Sequence, residues 1–171
     1  MKDRNYLSKS LLFLALAGVS HATLAADAES AVPPPAVFVK TAAQAGMTEI
    51  ELGKVALQKS QDPTVRSFAQ RMVADHGKAN DELASIAQTK GIDAPTSLDA
   101  EHQAMVNSMK QKSGAEFDAE YSRHMNMDHN KAVALFEGAT KSSDADFANF
   151  AKKTLPTLKE HKQLAQKLPA K

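Results

Sequence analysis

Cysteine and tryptophan are absent from the 171 residues, and aromatics amount to only 5%. The missing thiols exclude a disulfide, a thiolate metal site, a haem-attachment motif, a cysteine nucleophile and an acyl-cysteine lipid anchor. Glycine and proline, seven of each, are too few for a collagenous or low-complexity chain. No apolar stretch is long enough to span a bilayer. Nor is there a Gly-rich phosphate loop, a Gly-x-Ser-x-Gly elbow or a His-Glu-x-x-His motif. A composition of 43% hydrophobic and 24% charged residues suits one globular domain. Its core must come from Ala, Leu, Val, Met and Phe, a mix that favours packed helices over a β-sandwich.

Lys2, Arg4 and Lys9 precede a short apolar run from Leu11 to Val19, and the small residues Ala22, Ala25 and Ala26 follow. This is the pattern of a secretory signal peptide, residues 1–25, cleaved after Ala25 or Ala26. Removing Lys2, Arg4, Lys9 and Asp3 turns 21 basic and 20 acidic residues into 18 and 19, so the net charge moves from +1 to −1. Such a chain offers nucleic acid no global field. Export implies the periplasm, where the core must hold the fold without disulfides.

Residues 26–35 read as a linker ending in Pro33-Pro34-Pro35. The first helical segment runs from about Ala36 to Lys59, and Asp62-Pro63 supplies a cap and first-turn proline for a second that ends at Lys90-Gly91. Thr96 with Asp99 opens a short helix, Leu98 to Lys112; Ser113 with Glu116 opens a long one to Lys141; Ser143 with Asp146 opens the last, to Leu168. Pro156 lies inside that last segment and should bend it without ending it. Four segments of roughly 36–42 Å are thereby matched in length. Short connections at 59–63 and 141–144 make two antiparallel hairpins, whereas 91–113 is long enough to recross the molecule. The expected fold is all-α: a ferritin-like four-helix bundle over 36–168, with a short extra helix in the crossover and a tail at 169–171. An up-down bundle with a fifth helix outside is the alternative.

Winding each segment at about 100° per residue places one ionisable group or more on every apolar stripe. Glu49 falls among Phe38, Ala42, Ala45, Leu52 and Ala56. His76 lies between Met72 and Leu83. The fourth segment carries Asp128 in its stripe, with His124 and His129 at the margins, and His161 aligns with Phe147, Ala151, Leu158 and Ala165. All four heights are near mid-length, about 13–17 residues from the helix starts. Buried ionisable groups must pair with each other, with water or with a metal. Glu49, His76, His129 and His161 are therefore candidate ligands for one Zn, Cu or Fe ion, with Asp75, His124, Asp128 and Glu160 as supporting partners. The competing reading is a buried hydrogen-bond network that fixes helix register. His102, on the short helix, reads as solvated.

None of these histidines has a Glu three residues earlier, so the di-iron Glu-x-x-His pattern is not met and ferroxidase or oxygenase chemistry is disfavoured. Met125 and Met127 in the run HMNMDH could suit Cu(I), but methionines at helical core spacing read first as packing. Lys152, Lys153, Lys159 and Lys162 read as a solvated basic face.

The runs Phe38 to Asn80, Phe117 to Glu137 and Phe150 to Gln166 closely resemble the bacterial domain of unknown function 4142. The resemblance covers nearly the whole chain beyond the signal peptide. It implies an exported helical protein of ferritin-like fold, of a kind often labelled as outer membrane proteins, and no particular enzymatic activity. Its hallmark positions are matched by Glu49, Asp75-His76, Asp128-His129 and Leu155 to His161, which coincide with the inward groups. Neither a spanning helix nor the alternating ten-residue strands of a barrel accompany them. Two functions follow as expectations: a periplasmic bundle holding one transition ion without redox turnover, or an envelope-stress or interaction module with a buried polar network. Neither nucleic acid nor a transmembrane segment is expected, while peripheral envelope association and homo-oligomerisation stay open.

Overall fold

The computed structural model describes residues 31–169. The expected signal peptide, its cleavage site and the start of the linker lie outside them. Within them the chain forms α1 (Pro35–Lys59), α2 (Pro63–Thr89), α3 (Ala100–Gln111), α4 (Gly114–Ala139) and α5 (Ala145–Ala165), with no strand among the described residues.

The helix ends follow local chemistry. Asp62 accepts hydrogen bonds from the Thr64 and Val65 N–H groups, and Pro63 supplies a preset first turn. At the other end of α2, Gly91 takes φ 65°, and the Ile92 N–H donates 2.9 Å to the Ala87 carbonyl, satisfying an orphan acceptor of the last turn. Some starts differ from the sequence reading. Asp99, not Thr96, caps α3, accepting from the His102 N–H. Asp144, not Ser143, caps α5 through the Asp146 N–H. Ser113 sits at the α4 start without a side-chain cap, and Glu116 pairs with Lys112 instead. In the first two cases a carboxylate closer to the helix, by three residues in α3 and by one in α5, outcompetes a hydroxyl. Helix α5 continues across Pro156.

Contacts between α1 and α2 climb one helix while descending the other. Arg66 donates to the Leu57 carbonyl, Glu49 meets His76 and Asn80 donates to the Ala43 carbonyl, so the pair is antiparallel. The same ordering joins α4 to α5 through Asn126 with Ala165 and Phe136 with Phe150. It joins α1 to α4 through Phe38 with Phe136 and Glu49 with His129, and α2 to α5 through Asp75 with His161 and Glu82 with Lys153. Hence α1 and α5 run one way, α2 and α4 the other. The connection from Lys90 to Ser113 must return along the molecule, and α3 within it packs on α1 and α4. The Gln44 side chain pins that connection: its amide donates 2.9 Å to the Ser97 carbonyl, and its oxygen accepts 3.1 Å from the Asp99 N–H.

The apolar interior is in two parts. One holds Leu52, Phe68, Met72, Val106, Phe117, Tyr121 and Met125. The other is built round Phe38, Leu83, Phe136, Phe147, Phe150 and Leu158. In the latter the Phe38 ring meets Phe136, Phe147 and Phe150 edge-on at 5.1–6.2 Å, each such pair contributing about 0.5–1.5 kcal/mol beyond area burial. On all four long helices the inward polar residue falls in sequence between these two parts.

Candidate metal centre

Glu49, His76, His129 and His161 are 2%, 7%, 0% and 1% exposed, one from each long helix. The three imidazoles form a triangle with ring centroids 5.4–5.8 Å apart. One nitrogen of each lies within 4.8 Å of the others, a grouping of donors able to surround an ion.

The hydrogen bonds fix which nitrogens are bare. A carbonyl can only accept, so His129 Nδ1–H donates 2.9 Å to the Met125 carbonyl one turn back. Its Nε2 is buried with no hydrogen-bond partner. His161 Nε2–H likewise donates 3.0 Å to Asp75 Oδ2 across the α2–α5 contact, leaving its Nδ1 buried and unpartnered. His76 Nε2 is 2.6 Å from Glu49 Oε2, a close charge contact that lacks hydrogen-bond alignment. Glu49 Oε1 lies 3.4 Å from His129 Nδ1. Glu49 therefore touches two of the three rings, and Asp75 orients the third. Imidazoles held by their outer nitrogen, with the inner one free, are the arrangement that metal-binding histidines use.

Charge follows the geometry. Burial works to raise the Glu49 carboxyl, but the three imidazoles, His76 foremost, outweigh it and hold it down at about 2. Burial works to lower His76, yet Glu49 beside it, with help from Asp75, carries it above its ordinary value. His161 is lowered to about 4, first by burial and then by the charges of its two imidazole neighbours, against the pull of Asp75. Tyr121, whose hydroxyl is buried without a partner, is raised by burial and by the charge of Glu49. The Phe68 ring stands edge-on at 6.0 Å from His129, 6.5 Å from His161 and 6.2 Å from Tyr121, walling the histidines from the apolar part beyond.

Other residues singled out from the sequence lie elsewhere. The α4 stripe is rotated from the expected one: His129 is wholly buried in line with Met125, Val133 and Phe136, whereas Asp128, Ala132 and Leu135 are at its margin. The bulk of Phe136 sets that face. His124 is buried but pairs within its own helix, Nε2 to Asp128 Oδ2 at 2.7 Å, and is not among the converging donors. Glu160 is turned outward, 2.6 Å from Arg71 at the surface, because residues adjacent on a helix point about 100° apart. His102 is half-buried and bonded to Asp99 rather than simply solvated. Met125 packs in the apolar interior while Met127 is exposed. Sequence reasoning passed over Tyr121 as a neighbour of the carboxylate, although its place one turn before Met125 was visible.

Among the described residues no helix is long and apolar enough to cross a membrane. The fold is similar to the crystal structure of a DUF305 fragment from Deinococcus radiodurans, with a TM-score of 0.68, 19% identity, and coverage of 80% of this chain and 95% of that one. At that identity the likeness concerns the fold alone. No curated protein matches the chain. The model of the family described as Domain of unknown function (DUF4142) matches residues 20–168, and the chain belongs to that family.

Proposed function

We propose that the protein is an exported, ferritin-like four-helix bundle of two antiparallel hairpins that holds one transition ion, Zn, Cu or Fe, between its helices without redox turnover. The observation that carries this is the triangle of His76, His129 and His161, one nitrogen of each within 4.8 Å of the others, with His129 Nε2 and His161 Nδ1 buried without a hydrogen-bond partner and His76 Nε2 set against the Glu49 carboxylate. An apolar isostere would be cheaper than an unsatisfied buried imidazole. A tetrahedral ion with bonds of about 2.0–2.1 Å brings its donors to roughly 3.3 Å from one another. The triangle, its donors within 4.8 Å of one another, would close to that spacing round the ion. Glu49 lies outside the three converging donors but beside them, its Oε2 2.6 Å from His76 Nε2, and would complete the set as fourth ligand, its charge offsetting that of a divalent ion. The set of nitrogen and carboxylate donors suits Zn, Cu or Fe and lacks the second carboxylate bridge of a di-iron site. Periplasmic localisation is supported by the charged, apolar and small-residue succession of residues 1–26.

Elemental analysis of the mature protein, purified from the periplasm without tags or chelators, tests this together with the melting temperature before and after added Zn, Cu and Fe. One metal per chain, with stabilisation by that same ion and loss of both in a His76→Ala/His161→Ala variant, is the expected result. Metal-free protein whose melting point ignores every ion would assign the polar groups to a structural network in an interaction module.

A further inference from the structure

A cavity of about 530 Å³ opens between α1, α2, α4 and α5 and ends on the same groups. Its size lies within the roughly 300–1,000 Å³ typical of small-molecule sites. The exposed Lys40 and Lys131 line its mouth, and the half-buried His102, Asp99 and Asp128 line it as well. Leu83, Leu135, Phe136, Phe150 and Leu158 form its wall. The buried Glu49 and His76 lie at its inner end, paired with one another at 2.6 Å through Glu49 Oε2, and Glu49 Oε1 has no hydrogen-bond partner. An apolar passage from solvent to two polar side chains, both more than nine-tenths buried, is the form of a ligand site rather than a packing defect. A purely structural network would not need to be reached from outside.

The chemistry of the two ends selects the ligand. The wall asks for a hydrocarbon or aromatic body. At the inner end His76 is already engaged by Glu49 Oε2, and the remaining carboxylate oxygen can only accept, so the matching head is a neutral donor, and a second carboxylate there would meet like charge. The cations at the mouth are on flexible, solvated side chains and hold little of a ligand's head in place. We infer that the cavity binds a small neutral amphiphile with one hydroxyl, an alkylphenol or long-chain alcohol, with its apolar body along the α2–α4–α5 wall and its hydroxyl directed to Glu49. The inference stands on the cavity and needs no bound ion.

Titration calorimetry of the mature protein with 4-pentylphenol and with its anionic counterpart 4-pentylbenzoate tests it, in chelator and again with added zinc. The phenol is expected to saturate one site per chain and to bind at least about tenfold tighter than the benzoate, a difference of about 1.4 kcal/mol. Ala132→Phe, which fills the half-buried wall, should abolish binding, with Ala45→Phe as a second block if the first variant melts early. Glu49→Gln should bring the two probes within about threefold of one another, because the like-charge penalty is gone. Benzoate binding as well as phenol or better, binding that survives both blocks, or no saturable binding at all would each overturn the proposal. Metal content and ion-dependent melting read the metal centre separately, so either conclusion can fail alone.

Discussion

The Asp75 carboxylate accepts a 3.0 Å hydrogen bond from His161, joining α2 to α5 and leaving the other face of that imidazole free. Outer partners of this kind set ring orientation and ligand basicity, and their loss typically costs about 10–100-fold in metal affinity. Asp75→Ala should therefore weaken binding of the resident ion by about that factor, read by competition with a chromophoric chelator. Because Asp75 is itself one-third exposed, the fold should persist. Unchanged affinity would remove Asp75 from the site.

Acid should destabilise the metal-free protein in steps set by named groups. His161 is lowered to about 4 from an ordinary 6.5, so below pH 6.5 the unfolded chain takes up a proton that the folded one refuses, and stability falls with pH until about 4. Glu49, held at about 2 against 4.5, adds a further loss as pH drops from 4.5 toward 2. His76 has the opposite sign: raised above 6.5, it contributes stability in full below 6.5 that is lost as pH climbs through its folded value. The three together place maximum stability near pH 6.5. Urea unfolding in chelator across pH 4–8.5 measures this, and His161→Asn should flatten the limb between 6.5 and 4.

A third outcome separates ligand from scaffold. In chelator, His129→Leu removes an unsatisfied nitrogen but also part of the support for the buried Glu49 charge, so the two effects offset and the net cost is expected to stay within about 1–2 kcal/mol. The same variant should lose all metal-dependent increase in melting temperature. A fall of many degrees in chelator would make His129 a structural residue instead.

Much of this centre was legible in the chain because helices translate spacing into direction. Glu49, His76 and His161 sit among unambiguous apolar neighbours, and their similar distance from a capped start put them at one height. On α4 the same method named His129 as a ligand but centred the stripe on Asp128 with His129 at its margin, since Leu135 and Phe136 offer competing apolar faces and only packing against α1 and α5 decides between them. Hydrogen-bond partners were less accessible. Asp75 pairs with His161 and Glu160 with Arg71, contacts between residues 86 and 89 positions apart that no local pattern encodes. The cavity was invisible to the sequence, being space left between side chains that periodicity assigns only to a common face.

Two glycines separate close packing from helix propensity. A Cβ on Gly53 would stand 2.9 Å from Val73 Cγ2 and 3.1 Å from the Ala69 carbonyl oxygen. Val73 is β-branched and the carbonyl is backbone, so neither gives way easily. Gly53→Ala should push α1 from α2 at a cost of about 1–3 kcal/mol, more than the roughly 1 kcal/mol that alanine gains over glycine in a helix. A Cβ on Gly77 meets nothing within 4 Å. Gly77→Ala therefore keeps the whole propensity gain, about 0.5–1 kcal/mol, beside His76 and without touching it. Denaturant unfolding of the two variants should move in opposite directions, with metal stoichiometry unchanged in Gly77→Ala. If Gly53→Ala were also stabilising, the α1–α2 contact would be looser than the geometry that sets Glu49 against His76 requires.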